Sequence, residues 1–463
     1  MKNIVIIIIS LVFSLQMEAQ DMLGSWIGSI NVQGHTLRIG FNFTEENGKT
    51  KVTMDSPDQK AFGIPAQLNT FTASKIEVSI SNMRVNYTGK LNKEGVIEGH
   101  FNQAGQNFEL NLTKTLKEES KNLRPQHPNQ PYPYNAEDVS FVNAKDGIKL
   151  SGTFTFPKTG SNFTTVILIT GSGPQNRDEE ILGHKPFLVL SDHLTQKGFA
   201  VLRYDDRGTY GSEGDFSKAT SKDFATDVNA AIEFLKTRAE VNKEHIGLIG
   251  HSEGGLIAPM VAQHNTDVAF LVLLAGTGVD GKTILLDQTE EMNRLEGMKE
   301  DENRKAMTFS ADVFTYIEEN VPELTKEKLK AFMVEKLKDK NGFQLPAGED
   351  ENKFITSQVN QLTSPWMKYF LFYDPVKALE KISVPVLAIN GSKDIQVKSQ
   401  LNLPAIKKAL NKKKHASTKV EELQGLNHLF QECKTGSVSE YQKIEQTFSP
   451  KALAVISDWM LGL

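Results

Sequence analysis

The stretch Ile246-Gly-Leu-Ile-Gly-His-Ser-Glu-Gly-Gly-Leu256 decides the fold. Its apolar run predicts a buried strand, and the helically spaced apolar residues that follow predict a helix, so the chain turns sharply at Ser252. This turn is too tight for side chains at its flanks, which explains Gly250 and Gly254. The serine Oγ is then presented at the carboxyl end of a sheet, above the free N–H groups of the helix. We predict a nucleophile elbow, suited to attack on an ester or amide carbonyl.

Strands and helices alternate through the rest of the C-terminal region. A hairpin is predicted over residues 139–156, with Asp146-Gly147 at its turn. The strands that follow it are predicted at residues 166–170, 200–204, 246–249, 270–275 and 386–390. Near-continuous apolar strands separated by helices indicate a parallel sheet that is covered on both faces. The fold class is therefore α/β, a doubly wound and mostly parallel sheet.

A helical insertion is predicted at about residues 277–381, where the alternation stops and charged, amphipathic helices follow. It begins at the carboxyl end of the sheet, so we expect it to form a lid. Near its end, Ser364-Pro-Trp-Met-Lys-Tyr-Phe-Leu-Phe-Tyr373 is strongly aromatic. This segment is a candidate for lining an acyl pocket.

The N-terminal region has a different pattern. Residues 21–113 contain short alternating runs separated by glycine and asparagine, which predicts an antiparallel sheet that is closed or nearly closed into a small barrel, with Trp26 filling one end of its core. Residues 114–134 are first charged and then contain four closely spaced prolines, which favours an extended linker. The catalytic domain is therefore predicted over residues 135–463, and the β-rich domain is interpreted as an accessory domain.

The first residues resemble a secretory signal. Lys2 precedes the apolar residues 4–15, which are too few to span a bilayer but fit the core of a signal peptide over residues 1–19. We expect cleavage after Ala19, a periplasmic or secreted protein, and no integral membrane segment after signal removal. The single cysteine, Cys433, excludes an intramolecular disulfide and is interpreted as a small buried residue rather than a nucleophile.

The overall charge gives no support for a polyanionic partner. Fifty-two basic and fifty-seven acidic residues leave a net charge of -5, which favours neither nucleic acid nor an anionic membrane as a partner. No metal and no organic cofactor is expected, because the histidines lack the spacings of zinc sites and no glycine-rich phosphate loop is present. The sequence gives no indication of the oligomeric state.

The candidate base and acid follow the serine along the chain. A serine becomes a good nucleophile when an imidazole takes its proton and a carboxylate orients that imidazole. One predicted strand ends in Gly391-Ser-Lys-Asp394, and the last predicted strand is followed by Gln424-Gly-Leu-Asn-His428. The order serine, acid, histidine is that of α/β-hydrolases. We therefore predict Ser252, Asp394 and His428 as the catalytic triad.

Other titratable residues fit these roles less well. His251 adjoins the serine, but neighbouring side chains on a tight turn diverge, so we expect it to pack beneath the elbow. His264 falls on the following helix, and His415 lies in a basic run that is typical of a solvated surface. Asp374 precedes a proline and is typical of a turn or helix start.

The oxyanion formed during attack requires two N–H donors. We predict the amide of Glu253 as one donor. The other is expected from Thr170-Gly-Ser-Gly-Pro174, where the glycines allow the backbone to approach a substrate. The amide of Ser172 is favoured by position, with that of Gly173 as the alternative. A plain strand-to-helix turn is the other interpretation of this loop.

Two arginines near these loops have two interpretations each. Arg207, in Arg203-Tyr-Asp-Asp-Arg-Gly208, is a candidate for binding a substrate carboxylate. We favour instead an ion pair between Arg207 and either Asp205 or Asp206. Arg177, beside the oxyanion loop, has the same alternatives.

Five segments of the C-terminal region carry motifs: Thr170-Gly-Ser-Gly-Pro-Gln-Asn-Arg-Asp178, Arg203-Tyr-Asp-Asp-Arg-Gly208, Gly250-His-Ser-Glu-Gly-Gly255, Asn390-Gly-Ser-Lys-Asp-Ile-Gln-Val397 and Leu426-Asn-His-Leu-Phe-Gln431. Together they resemble the secreted α/β-hydrolases of the serine aminopeptidase S33-like group, and within it the EstD-type carboxylesterases. The resemblance implies an α/β-hydrolase fold and a lidded carboxylesterase with Ser252, Asp394 and His428 as its triad. It also implies that a β-rich N-terminal domain is usual.

The sequence thus predicts an exported serine hydrolase, most simply a carboxylesterase that cleaves small to medium acyl esters through an acyl-enzyme. An aminopeptidase or dipeptidyl peptidase would use the same triad, with Glu253 or acids of the lid facing the pocket to bind an α-amino group. An acyltransferase would require a pocket that excludes water during deacylation. Outside enzymes, the alternative is a binding protein whose β-domain captures a glycan or a peptide.

Overall fold

The computed structural model describes residues 22–32, 35–46, 49–59, 61–80, 83–103, 105–114, 124–339, 341–345, 348, 350–413, 415 and 417–463. The predicted signal peptide, residues 1–19, lies outside the described residues. The chain divides into two units, Met1–Leu123 and Arg124–Leu463. Residues 124–134, assigned to the linker by their prolines, belong to the second unit, where the guanidinium of Arg124 donates to the carbonyls of Leu182 and Ile444.

The first unit is an antiparallel β-barrel. Its strands are β1 Gly24–Val32, β2 His35–Glu46, β3 Lys49–Ser56, β4 Ala61–Phe71, β5 Lys75–Ile80, β6 Val85–Leu91, β7 Val96–Gln103, β8 Gln106–Glu109 and β9 Leu112–Lys114. Their order is β6-β5-β4-β3-β2-β1-β9-β7-β8, and the additional pairing of β6 with β7 closes the ring. Alternate residues point inward and bury a core that includes Trp26, Phe41 and Tyr87. The predicted small barrel is confirmed.

The second unit is built on a mixed eight-stranded sheet. Its strands are β10 Asn135–Asn143, β11 Ile148–Phe156, β12 Phe163–Ile169, β13 Ala200–Tyr204, β14 Val241–His251, β15 Val268–Leu274, β16 Val386–Gly391 and β17 Lys419–Leu423. The order is β10-β11-β13-β12-β14-β15-β16-β17. The hairpin β10–β11 is antiparallel, and β11 also pairs with β13 in antiparallel orientation. The remaining neighbouring strands pair in parallel. The predicted α/β-hydrolase topology is confirmed.

Helices cover both faces of this sheet because its strands are apolar on both sides. The described helices are α1 Pro186–Gln196, α2 Ser221–Lys236, α3 Glu253–Ala262, α4 Gly281–Leu295, α5 Glu300–Asn320, α6 Lys326–Leu337, α7 Glu351–Leu362, α8 Pro365–Phe372, α9 Val376–Leu379, α10 Ser399–Leu410, α11 Val438–Tyr441 and α12 Pro450–Leu461. One core forms against α2, α3 and α10, and the other against α1 and α12. In the described part of the chain, no helix is both long enough and apolar enough to cross a lipid bilayer.

The predicted insertion corresponds to helices α4 to α9, which lie between β15 and β16. It has an apolar core of its own, to which α5, α6 and α7 contribute residues such as Ile317, Leu329 and Ile355. Helix α8 carries the aromatic segment that the sequence analysis singles out. The insertion is therefore a separately packed layer that meets the sheet at its carboxyl edge.

The turn between β14 and α3 has the geometry of a nucleophile elbow. Ser252 has φ 52° and ψ -114°, a backbone conformation that residues with a Cβ seldom adopt. A Cβ on Gly250 would overlap the carbonyl oxygen of Gly254, and a Cβ on Gly254 would overlap that of Ile169. The two glycines are therefore required because backbone lies against each of them.

We predict that Gly250→Ala destabilises the protein by about 3 kcal/mol or more, because the added methyl group must displace the backbone of α3. Thermal and urea unfolding of the variant measure this loss. The matched control is Gly462→Ala, where an added Cβ makes only ordinary contacts. Equal stability of the two variants would show that the elbow is not sterically constrained.

Candidate active site

A cavity of about 210 Å³ lies at the carboxyl ends of the parallel strands. Its walls come from the loop after β12, the elbow, the helical insertion and the loops after β16 and β17. Ser252, Glu253, Ser172 and His428 all line it. With Gln396 and Val397, which also line it, the structure brings together, in one cavity, residues from four of the five motif segments.

Asp394 lies directly behind His428. The Nδ1 atom of His428 is 2.7 Å from Oδ2 of Asp394, and both residues are buried. The other carboxylate oxygen, Oδ1, accepts hydrogen bonds from the amides of Gln396 and Val397 at 2.8 and 2.9 Å. With Nδ1 held in this way, the Nε2 atom of His428 is the one available for proton transfer.

The loop that carries His428 is fixed by its neighbour Asn427. The Asn427 side chain is fully buried, and its Oδ1 accepts hydrogen bonds from the amides of Leu429 and Gln431. Its amide group donates to the Gln431 side chain at 2.9 Å. These bonds make the loop rigid, so the imidazole of His428 has a defined position.

The loop after β12 is held from below by two buried carboxylates. Asp206 accepts hydrogen bonds from the Thr170 hydroxyl at 2.7 Å and from the amide of Gln175 at 2.9 Å. Glu179 accepts one from the amide of Gly171 at 2.7 Å. Burial raises the pKa of the Asp206 carboxyl well above its usual range. The loop is therefore a braced structure and not a plain turn.

The candidate oxyanion donors differ in their position. Glu253 is the first residue of α3, where an N–H has no partner within the helix. The amide of Ser172 makes no hydrogen bond to the described residues, and Ser172 lines the same cavity as Ser252. Gly173 lines a separate small cavity instead. The geometry thus favours Ser172 over Gly173 as the second donor.

The side chain of Glu253 connects three parts of the site. Its Oε1 accepts hydrogen bonds from the Ser221 hydroxyl at 2.6 Å and from the Trp366 indole N–H at 2.8 Å, and the Ser172 hydroxyl bonds the same carboxyl. Burial raises the pKa of this carboxyl, because loss of hydration disfavours its charged form. Trp366 stacks on Phe370 with ring centroids 4.9 Å apart, and both line the cavity, as the aromatic segment suggests.

The sequence analysis did not identify the partner of His251. In the structure Nδ1 of His251 is 2.9 Å from Oε1 of Glu179, and Nε2 is 2.9 Å from the carbonyl oxygen of His428. Burial disfavours the charged imidazole, but the charge and hydrogen bond of Glu179 outweigh it and raise the pKa of His251. His251 is buried and also lines the cavity, and through Glu179 it links the loop after β12 to the loop that carries His428.

The predicted ion-pair partners of Arg207, Asp205 and Asp206, are wrong. Arg207 forms an ion pair, but with Asp227 at 2.7 Å and Asp146 at 2.9 Å rather than with its sequence neighbours. The reason is that Asp205 is bound by Arg177 at 2.7 Å, while Asp206 faces the oxyanion loop. Neither arginine lines the catalytic cavity.

The remaining candidates lie elsewhere. His264 is exposed, and Nδ1 of His415 accepts a hydrogen bond from the backbone of its own turn. Asp374 caps the start of α9 by accepting from the amide of Val376. Cys433 is half-buried, and burial raises the pKa of its thiol, which suppresses the reactive thiolate. The described residues contain no cluster of histidine, cysteine or acidic side chains that could hold a metal ion.

Comparison with known proteins agrees with this geometry. The model of the X-Pro dipeptidyl-peptidase (S15) family matches residues 130–416, more than half of the chain. The chain belongs to this family. The match covers the strands from β10 to β16, the elbow and the helical insertion.

Individual relatives include esterases. Esterase EstD of Thermotoga maritima is 28% identical over 251 residues, which are 54% of this chain and 50% of that protein. The uncharacterized protein YfhR of Escherichia coli O157:H7 is 32% identical over 158 residues, 33% of this chain and 51% of that protein. This chain thus spans about half the length of the curated relatives it matches. The resemblance to EstD indicated by the motifs is confirmed.

Solved structures with a similar fold include the Pyrococcus furiosus esterase Pf2001, at 18% identity and a TM-score of 0.41 over 71% of this chain and 91% of that one.

We predict that His251→Gln lowers the free energy of unfolding by about 3 kcal/mol near pH 6, because it leaves Glu179 buried without its charged partner. The pKa of His251 is raised in the folded protein above its value in the unfolded chain, 6.5. The stability that the charged imidazole contributes is therefore fully present below pH 6.5 and is lost as the pH rises through the pKa of the folded state. The difference between wild type and variant should therefore shrink from pH 6 to pH 9. Urea unfolding across this range measures it.

The control for this series is His264→Gln, which changes an exposed histidine. A difference for His251→Gln that stays constant or grows with pH would show that His251 is neutral in the folded protein.

Proposed function

We propose that this protein is an exported serine carboxylesterase that hydrolyses small to medium, uncharged acyl esters. The observation that carries the proposal is the 2.7 Å pair of His428 and Asp394, in which His428 lines the same cavity as Ser252 on its strained elbow. The similarity to esterase EstD supports the choice of an ester as substrate.

In the proposed acylation step, the Oγ atom of Ser252 attacks the ester carbonyl while Nε2 of His428 takes its proton. Asp394 accepts the hydrogen bond from the Nδ1–H group of His428 and stabilises the imidazolium that forms. The tetrahedral intermediate then collapses, and His428 returns the proton to the departing alcohol. The products of this step are the free alcohol and an acyl-enzyme on Ser252.

The negative oxygen of the intermediate is proposed to lie between the amides of Glu253 and Ser172. Amide donors that are fixed before reaction stabilise a developing charge without reorganising. The hydrogen bonds of Asp206 and Glu179 to the surrounding loop supply that rigidity. In deacylation, His428 activates a water molecule, and the same two amides hold the second intermediate.

The lining of the cavity supports a neutral acyl group. Ile284, Leu285, Trp366 and Phe370 form an apolar wall that comes from the helical insertion, which would therefore act as a lid. No lysine or arginine lines the cavity among the described residues, and both ring nitrogens of His251 are engaged by Glu179 and by the carbonyl of His428, so a substrate carboxylate would find no free cationic partner there. A volume of about 210 Å³ suits a small to medium acyl chain.

The second candidate function is a peptidase, which the family match favours. It needs an ionised acid to bind a substrate ammonium group, and Glu253 is in the cavity. However, the carboxyl of Glu253 already accepts hydrogen bonds from Ser221 and Trp366, and burial raises its pKa. Glu179 is likewise engaged, by His251 and Gly171. The carboxylesterase is therefore the better-supported function.

We predict that the purified protein hydrolyses p-nitrophenyl esters between acetyl and octanoyl. Ser252→Ala should lower kcat/KM by at least about 10⁴-fold, because the nucleophile is absent. Asp394→Asn should lower it by about 10³–10⁴-fold with little change in folding, because the histidine tautomer is no longer fixed. Initial rates and circular dichroism measure the two effects.

Aminoacyl-p-nitroanilides provide the comparison for the peptidase. Faster turnover of the anilides than of the esters, abolished by Ser252→Ala, would replace the esterase with the peptidase. No turnover of either class would contradict the proposal.

The proposal includes export through cleavage of residues 1–19. Its support is the cationic start and short apolar core of this segment. We predict that the full-length chain, expressed in a bacterial host, is recovered outside the cytoplasm. Its measured mass should be that of a chain that begins at Gln20. Recovery of the uncleaved chain in the cytoplasm would contradict export.

A further inference from the structure

The helical insertion contains a second cavity, of about 300 Å³, which we call the insertion cavity. Its wall is mainly apolar and includes buried side chains from α5, α6, α7 and α8: Phe309, Val313, Phe314, Met333, Leu362 and Met367. The polar residues that line it are neutral, and one of them, Gln361, is exposed, so the cavity opens to solvent on that side. An apolar cavity with no charged lining accommodates hydrocarbon rather than a charged group.

Helices α4 and α8, which pack against each other, form the wall between the insertion cavity and the catalytic cavity. On α8, Trp366 and Phe370 line the catalytic cavity, whereas Met367 lines the insertion cavity. On α4, Leu285 lines both. At Leu285 the two cavities are therefore separated by a single residue.

The side chain of Leu285 is the adjustable part of this wall. It is half-buried, and it packs against one apolar core of the sheet and against the core of the insertion. Trp366 packs against the same two cores, but its indole N–H is held by the carboxyl of Glu253 at 2.8 Å. A leucine side chain has no polar atom that could be held in this way. Packing alone therefore keeps Leu285 in place.

We infer that Leu285 limits the length of the hydrocarbon chain that the protein accepts in its ester substrate, and that the insertion cavity is the space beyond this limit. The inference rests on the proposed carboxylesterase function and assigns a residue to its chain-length specificity. A chain that is bound along the apolar wall of the catalytic cavity buries each methylene group favourably until it reaches Leu285. A longer chain must then displace a packed side chain or leave its end in water.

Two substrate series test the inference and show whether the chain belongs to the acyl part or to the alcohol part of the ester. The acyl series compares p-nitrophenyl decanoate with p-nitrophenyl butyrate, and the alcohol series compares decyl acetate with butyl acetate. Leu285→Ala should raise the ratio of kcat/KM for the long and the short ester about tenfold or more in one series, because the additional methylene groups then leave water. Leu285→Val should shift the same ratio in the same direction by a smaller factor.

Two further variants separate the loss of the limit from a general loosening of the insertion. Leu286→Ala removes the same number of atoms from the next residue of α4, which lines neither cavity, and should leave both ratios unchanged. Ser310 is half-buried on α5 and lines the insertion cavity, so that Ser310→Trp fills this space. The double variant Leu285→Ala/Ser310→Trp should return the ratio to that of the wild type.

The ratios are informative even where a variant is less stable than the wild type. Both esters of a pair are measured on the same preparation, so unfolded protein lowers the two rates by the same factor and leaves their ratio unchanged. Circular dichroism records the folded fraction of each variant.

Ratios that stay at the wild-type value in Leu285→Ala and Leu285→Val, with ester turnover intact, would overturn this inference alone. An equal rise in Leu286→Ala, or a rise that Ser310→Trp does not reverse in the double variant, would also overturn it, because the longer chain would then lie outside the insertion cavity. Absence of turnover with every ester in the wild type would overturn the proposed function and the inference with it.

Discussion

The close contact of backbone with backbone at the elbow is the constraint on which the site depends. Because α3 begins against Gly250 and the β12 strand lies against Gly254, the chain can pass only through the strained conformation of Ser252. That conformation places Ser252 at the cavity, directly before the first amide of α3, which has no partner within its helix. The neighbouring side chains also line the cavity but are already engaged: His251 binds Glu179 and the carbonyl of His428, and Glu253 accepts hydrogen bonds from Ser221 and Trp366.

Buried carboxylates then connect the loops around this turn. Glu179 joins the oxyanion loop to His251, Asp206 braces the base of that loop, and Asp394 orients His428. Glu253 joins the elbow to the aromatic helix of the insertion. Each of these groups is buried with hydrogen-bond donors from a different segment, so each acts as a cross-link between segments. The rigidity that the proposed chemistry requires is thus distributed over the polar groups of the whole site.

Local patterns were enough to predict the architecture and the candidate triad. The elbow, the alternation of strands and helices, and the period-two runs of the barrel are properties of short segments, and the loops after parallel strands necessarily meet at one edge. Pairings between distant segments could not be predicted in this way. Arg207 binds Asp227 on α2, and Trp366 binds Glu253 across more than a hundred residues, because packing decides which of several nearby acids each donor reaches.

The central claim is that Ser252 is a nucleophile activated by His428, and covalent labelling tests it most directly. The mature protein is treated with a fluorophosphonate and digested, and the modified peptide is identified by mass spectrometry. The account predicts one phosphonylated residue per chain, at Ser252, and labelling at least about 100-fold slower in His428→Ala, because the serine then has no general base. A label on another residue, no label, or an unchanged rate in His428→Ala would contradict it.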